Sequence, residues 1–266
     1  MTENSQTSEA DKIFNARFIK VPFSGGYAKE IDSAIRTSIK SGKNLKYVIR
    51  SLDRYSLCCD KDLDRTDMGD YPEYLYDKNI FNDVKYVLNK EIFVDIELHI
   101  IKEKCIGEKG GVTSFDEYLN WSKWHLFGKE YVIGDSVYRG NPEVESDATS
   151  DEISTLKDNV QQNIIEVAKQ NPEIEFYYFI PPYSVAWWGD TYFNGGLKRQ
   201  LELDKITIEE ILNNSNIKLF MFDDMEFISM NLDNYKDTGH YGEWINTDLL
   251  THMKNNIGRV TLDNYE

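Results

Sequence analysis

The sequence predicts an α/β protein, a three-layer α/β/α sandwich with a mostly parallel sheet between two helical layers. Three observations point there. Residues 174–180 (IEFYYFI) and 217–222 (IKLFMF) are almost wholly apolar and aromatic, as strands covered on both faces must be. Stretches with apolar residues at helical spacing separate these runs and follow them. Strand and helix alternate along the chain, the order that a parallel sheet with helical crossovers requires.

Taken in order, residues 17–23 (RFIKVPF) read as a short first strand. Gly25-Gly26 turns the chain into a helix whose Ala28, Ile31, Ile35 and Ile39 share one face. Ser41-Gly42 closes that helix, and residues 45–52 (LKYVIRSL) form the next strand. The length of this βαβ unit predicts that its two strands are parallel. Residues 60–70 (DKDLDRTDMGD) are an acidic loop, and residues 82–104, rich in Val, Ile and Leu, read as a long helix. Residues 105–150 are the least regular part. They hold Gly110-Gly111, a helical piece at 115–127 and a polar run at 141–150. They are expected to form an insertion or lid on a single domain spanning 1–266. Leu156, Val160, Ile164 and Ala168 then recur every four residues, a helix ended by Asn171-Pro172. Pro181-Pro182 stops the strand at 174–180, and a helix at 194–213 leads into the strand at 217–222. The last helix sets Ile245, Leu249, Met253 and Ile257 on one face.

Composition narrows the function. Hydrophobic residues at 41% and charged residues at 29% are the balance of a globular chain rather than a disordered one. Thirty Lys and Arg against 46 Asp and Glu give a net charge of −16, a field that repels phosphate backbones, so nucleic-acid partners are disfavoured. No run of 18 uncharged apolar residues is present, so no membrane span is expected. Residues 1–15 (MTENSQTSEADKIFN) lack the basic and apolar regions of a signal peptide. Cys58, Cys59 and Cys105 form no C-x-x-C, which speaks against a disulfide framework and a zinc site alike. The acidic loop fails the calcium pattern, because Arg65 stands where the bend glycine is needed and Tyr71 where the bidentate glutamate is needed. No metal and no cofactor is expected.

In open α/β sheets a ligand sits beyond the carboxyl ends of the strands. Four segments are expected to converge there: Ser24-Gly25-Gly26-Tyr27, Asp53-Arg54-Tyr55-Ser56, Pro181-Pro182-Tyr183-Ser184, and the stretch from Asp223 through Asp237-Thr238-Gly239-His240. An aspartate three residues before a histidine, across a tight bend at Gly239, can reach the ring Nδ1–H. That fixes the tautomer and leaves Nε2 as a general base. Asp237 and His240 are therefore the candidate catalytic pair. Gly25 and Gly26 offer backbone N–H groups to an oxyanion, or form a plain turn. Asp53 and Tyr55 line a pocket, or Asp53 caps the next helix. Tyr183 and Ser184 belong to the same rim. Trp187-Trp188 stack on a sugar or pack as core. His99, His125 and His252 are expected to be structural or exposed, and Cys58 and Cys59 to be packing residues.

The segments NLKYVIRSLDRYSL, YPEYLYDKNIFNDVKYVLNK, FYYFIPPYS and LDNYKDTGHYGEWIN, with the Gly-Gly turn before the first helix, resemble the SGNH (GDSL-like) hydrolase superfamily. They are most similar to its bacterial members associated with cell-surface polysaccharides. The resemblance implies a flavodoxin-like α/β/α fold and acyl-ester chemistry on acylated carbohydrate or another small ester. It implies His240 as base, Asp237 as its orienter and the Gly25-Gly26 turn as an oxyanion contributor. It also implies an extracytoplasmic or membrane-anchored parent protein.

Two departures from that pattern shape the expectation. The family's oxyanion asparagine has no counterpart, and Asp53 stands at about its place. No Gly-x-Ser turn follows an apolar strand near the start, so the first strand and its nucleophilic serine are expected to be missing. The resulting expectation is an esterase or O-acetyltransferase lineage whose chain is inactive by itself. The alternative is a non-catalytic carbohydrate-binding or assembly protein of surface-polysaccharide production.

Overall fold

The computed structural model describes residues 2–41, 44–67, 74, 78–87, 98–107, 114–134 and 141–265. Helix α1 (Thr7–Phe14) opens the chain after a single 3-10 turn, and α2 (Ala28–Lys40) follows. Strand β1 (Tyr47–Ser51) leads into α3 (Arg54–Leu57). The central part holds α4 (Val84–Val87), α5 (Leu98–Cys105), a 3-10 turn at Trp121–Trp124 and α6 (Lys129–Val132). Next come α7 (Ser150–Val160), a π turn at Gln161–Ile165 and α8 (Glu166–Lys169), which form one continuous helical rod. Strand β2 (Glu175–Ile180), α9 (Val185–Phe193), α10 (Leu197–Leu212), β3 (Ile217–Met221), α11 (Glu226–Ser229) and α12 (Glu243–Lys254) complete the order.

The three strands form one parallel sheet in the order β1-β2-β3, with Tyr47 opposite Glu175 and Phe176 opposite Ile217. Strand alternation sorts the side chains into two cores. Phe176, Tyr178 and Ile180 pack with Val48, Leu219 and the buried faces of α7, α8 and α10. Tyr177 and Phe179 face the other way, onto Ala10 and Phe14 of α1 and Ile245, Leu249 and Met253 of α12. Helices thus cover both faces of the sheet, and the chain is a three-layer α/β/α protein. β2 lies between two neighbours, and its residues 176–180 are all buried, which is why that stretch is apolar at every position.

The first expected strand is not a strand. Residues 17–23 run as irregular extended chain, with Ile19 and Val21 each more than half exposed. Side-chain anchors hold them there. The Phe18 N–H donates to Asp11, the Lys20 ammonium donates to the Glu3 and Ser5 carbonyls, and the Phe18 ring lies against Phe14. The segment read as a strand, but among the described residues no strand pairs with it. The expected helix at 82–104 is helical at α4 and α5, and residues 88–97 lie outside the described ones. The piece at 115–127 is a turn followed by the 3-10 helix, and Gly110-Gly111 lies outside the described residues. The helix at 194–213 is α10, preceded by the unforeseen α9. The last helix stops at Lys254, and Ile257 is about half exposed rather than on its buried face.

The strand ends meet at one buried cation. Arg54, just beyond β1, donates to Asp204 of α10 and to Asp223 beyond β3, both at 2.8 Å. Its guanidinium lies 5.1 Å from the Tyr183 ring centre and 4.9 Å from that of Trp188. Burial opposes its charge, but the two carboxylates outweigh that and keep it protonated. The same burial pushes both aspartates upward from the usual carboxylate range. Asp223 gains further donors in the Tyr183 N–H and the Trp188 indole. Arg54→Met leaves two buried carboxylates without their cation. That loss should cost about 3–5 kcal/mol of stability at pH 7, read by urea denaturation. The deficit should shrink at acid pH, because protonating the aspartates removes the uncompensated charge.

Candidate functional site

The loop after β3 carries the sharpest geometry. Tyr235 and Tyr241 form an antiparallel bridge, and the Lys236 N–H donates to the His240 carbonyl at 3.0 Å, so residues 235–241 form a closed turn. Within it Asp237 Oδ1 accepts from the Gly239 N–H at 3.0 Å and the His240 N–H at 2.8 Å. The His240 ring Nδ1 lies 2.9 and 3.0 Å from the two Asp237 oxygens. An ionised carboxylate so placed holds the proton on Nδ1 and leaves Nε2 as acceptor. Half-burial pulls the Asp237 carboxyl upward. The His240 ring and the two backbone donors outweigh it and hold the group well below the usual carboxylate range. The His240 side chain is 46% exposed, enough to receive a proton from a bound group.

The turn is braced from behind by the segment that follows β2. Both the N–H and the hydroxyl of Ser184 donate to the Thr238 carbonyl, at 3.1 and 2.7 Å. Ser184 is fully buried and also caps α9, so it supports the turn and is no nucleophile. Tyr183 stacks on Trp187 at 4.7 Å, and its hydroxyl donates to Asp53 at 2.6 Å. Burial and the Asp53 carboxylate keep that phenol protonated far above its ordinary range. A Cβ on Gly239 would stand 3.3 Å from the Tyr183 ring, so a side chain there would press the turn off its support. Trp187 and Trp188 flank the buried Arg54, which favours packing over sugar stacking for this pair.

His240 opens onto a cavity of about 800 Å³. Gly25, Gly26, Asp53 and Tyr55 line it too, so five of the candidate residues share one space. Asp237, Tyr183 and Ser184 stand behind that wall. Asp53 fills both sequence alternatives: it lines the cavity and caps α3 by accepting the Ser56 N–H at 2.9 Å. Tyr55 is largely exposed at the rim. The Gly26 N–H donates to the Phe23 carbonyl and the Tyr27 N–H to Glu30, so neither is directed at an oxyanion. The glycine pair is foremost a turn, with Gly25 at φ +66°.

Sequence reasoning did not place Trp121, Lys236 or His125 on this cavity. Trp121 sets its ring edge against the His240 ring at 5.8 Å, and the Lys236 ammonium lies 5.0 Å from the Trp121 ring centre. His125, expected to be merely structural or exposed, lines the same cavity. Trp121 and His125 come from the irregular 105–150 region, where no periodicity pointed to the rim. The thiols follow expectation: burial raises Cys58 to about 11, too high for a nucleophile at neutral pH.

Comparison with protein-family models, curated proteins and solved structures finds no match to this chain. Among the described residues, no helix is long and apolar enough to cross a membrane. The site therefore stands on its own geometry. His240→Ala removes the largest influence lowering the Asp237 carboxyl while its burial remains. The Asp237 titration, followed by carboxyl-carbon NMR, should move upward, and Thr238→Ala should leave it in place.

Proposed function

We propose that the chain is of the SGNH-type ester hydrolase or O-acetyltransferase lineage, with a flavodoxin-like arrangement and an acylated carbohydrate as substrate class. The observation that supports this is the Asp237–His240 pair, held at 2.9 Å beyond the strand ends and opening on the cavity. His240 takes the proton from an attacking hydroxyl, and Asp237 keeps its ring in the required tautomer. No nucleophile is assigned among the described residues. Ser184 is buried as a cap, and the Ser24 hydroxyl is bound to Glu3. The chain by itself is accordingly proposed to be inactive.

A version of the chain preceded by an apolar strand ending in Gly-x-Ser should hydrolyse p-nitrophenyl acetate at least about 100-fold faster than the chain alone. That gain should disappear in His240→Ala and fall by orders of magnitude in Asp237→Asn. Equal rates with and without His240 would remove it from the reaction.

A second reading, a non-catalytic carbohydrate-binding protein, is favoured by one observation. Asp53 stands on the cavity wall as an acceptor, and the nearby Gly26 N–H is already engaged, which leaves an oxyanion poorly served. Binding of an acetylated oligosaccharide by the strand-extended version, without turnover, would decide for this reading.

A further inference from the structure

The cavity beside His240 reaches far past the Asp237–His240 pair. It runs along the outer side of β1, between the two helical layers. Ala34 and Ile35 of α2 line it from one layer, and Leu249 and Met253 of α12 from the other. These helices lie on opposite faces of the sheet. The space between them therefore lies in the plane of the sheet, and residues 18–24 of the same chain line it as well.

The backbone of β1 completes the slot. Glu175 N–H donates to the Lys46 carbonyl, and Leu52 N–H donates to the Phe179 carbonyl. In a parallel ladder alternate residues address the same neighbour. Residues 46, 48, 50 and 52 thus face β2, and Tyr47, Ile49 and Ser51 turn their N–H and C=O groups toward the cavity. Among the described residues these groups find no hydrogen-bond partner. Side-chain walls that are mainly apolar, with a row of peptide donors and acceptors between them, match one kind of occupant. A hydrocarbon chain would fill the volume but leave the peptide groups unpaired.

We propose that this slot binds an extended apolar segment of a partner polypeptide, which adds a fourth strand beside β1. The segment is about five residues long, matching Tyr47–Ser51 over roughly 16 Å. It is apolar at successive positions because both of its faces are covered. Basic residues flank it, complementing the chain's net charge of −16. Because the slot opens at the rim that holds His240, one end of the bound segment lies beside that ring. The inference rests on the sheet edge and the cavity, and holds whether or not His240 acts as a base.

The test uses the whole chain and a fluorescein-labelled, lysine-flanked peptide with a five-residue β-branched core. Fluorescence anisotropy should show saturable binding, with a rise in melting temperature of several degrees. Two further peptides carry N-methyl groups on alternate amides, in one register or the other. One should bind at least tenfold more weakly and the other like the parent, because only one face of the backbone meets β1. Ala34→Phe, which fills the slot from α2, should abolish binding at an unchanged melting temperature. The N-methyl comparison needs no altered protein, so it stands even if that variant does not fold. Equal binding of both N-methyl peptides, or full displacement by dodecanoate, would make the slot a hydrocarbon pocket and overturn the proposal. So would a stable dimer in sedimentation that excludes the peptide, since the edge would then be occupied by a second copy.

Discussion

The arrangement of the site depends on one buried cation. Arg54 follows β1, Pro181 follows β2 and Asp223 follows β3, and the guanidinium touches all three strand ends while reaching Asp204 on α10. An isolated buried guanidinium is costly, so its charge requires the two carboxylates, and the carboxylates require it. Aromatic faces from Tyr183, Trp187 and Trp188 close the remaining sides. Such a centre adds little net stability over an apolar core of the same shape. What it does is couple four segments so that none can shift without breaking a buried charge contact.

The candidate pair inherits its geometry from that centre. Tyr183 lies over Arg54, donates to Asp53 and supports Gly239 from below. Ser184 then grips the Thr238 carbonyl with two donors. The Asp237–His240 turn is therefore mounted on the β2 end rather than carried by a free loop. Rigid support of this kind is what a base needs if its nitrogen is to meet a proton at a fixed point. A parallel support operates at the β1 end. Asn159 donates to the Ser56, Leu57 and Cys59 carbonyls, and Asn163 to that of Lys61, which ties α3 and Asp53 to the helical rod. Asn163 lies in the π turn of that rod, and its own carbonyl accepts from the buried Arg50.

The sheet is small and unequal in its edges. β2 is hydrogen-bonded on both sides and buried on both faces, whereas among the described residues β1 is paired on one side only. α2 and α12 nonetheless both line the cavity beside β1. Among the described residues no fourth strand lies between the two layers there.

Strong local patterns made part of this legible in the sequence. Almost wholly apolar runs identified β2 and β3, helical spacing identified α2, the α7–α8 rod and α12, and Asp-x-x-His across a glycine identified the pair. These succeed because burial on two faces, burial on one helical face and a three-residue hydrogen-bonded turn each constrain the residues locally. The segment at 17–23 shows the limit. It read as a strand, but pairing requires a neighbour, and a sequence pattern does not contain the neighbour. The Arg54 centre was invisible for a related reason, since Arg54, Asp204 and Asp223 are 150 and 169 residues apart and each resembles a surface charge. Trp121 and His125 reach the rim from a region without periodicity. By itself the sequence determined the fold class and the Asp237–His240 turn. Tertiary structure decided which strands pair, which charges are buried and what surrounds His240, because those depend on contacts between distant segments.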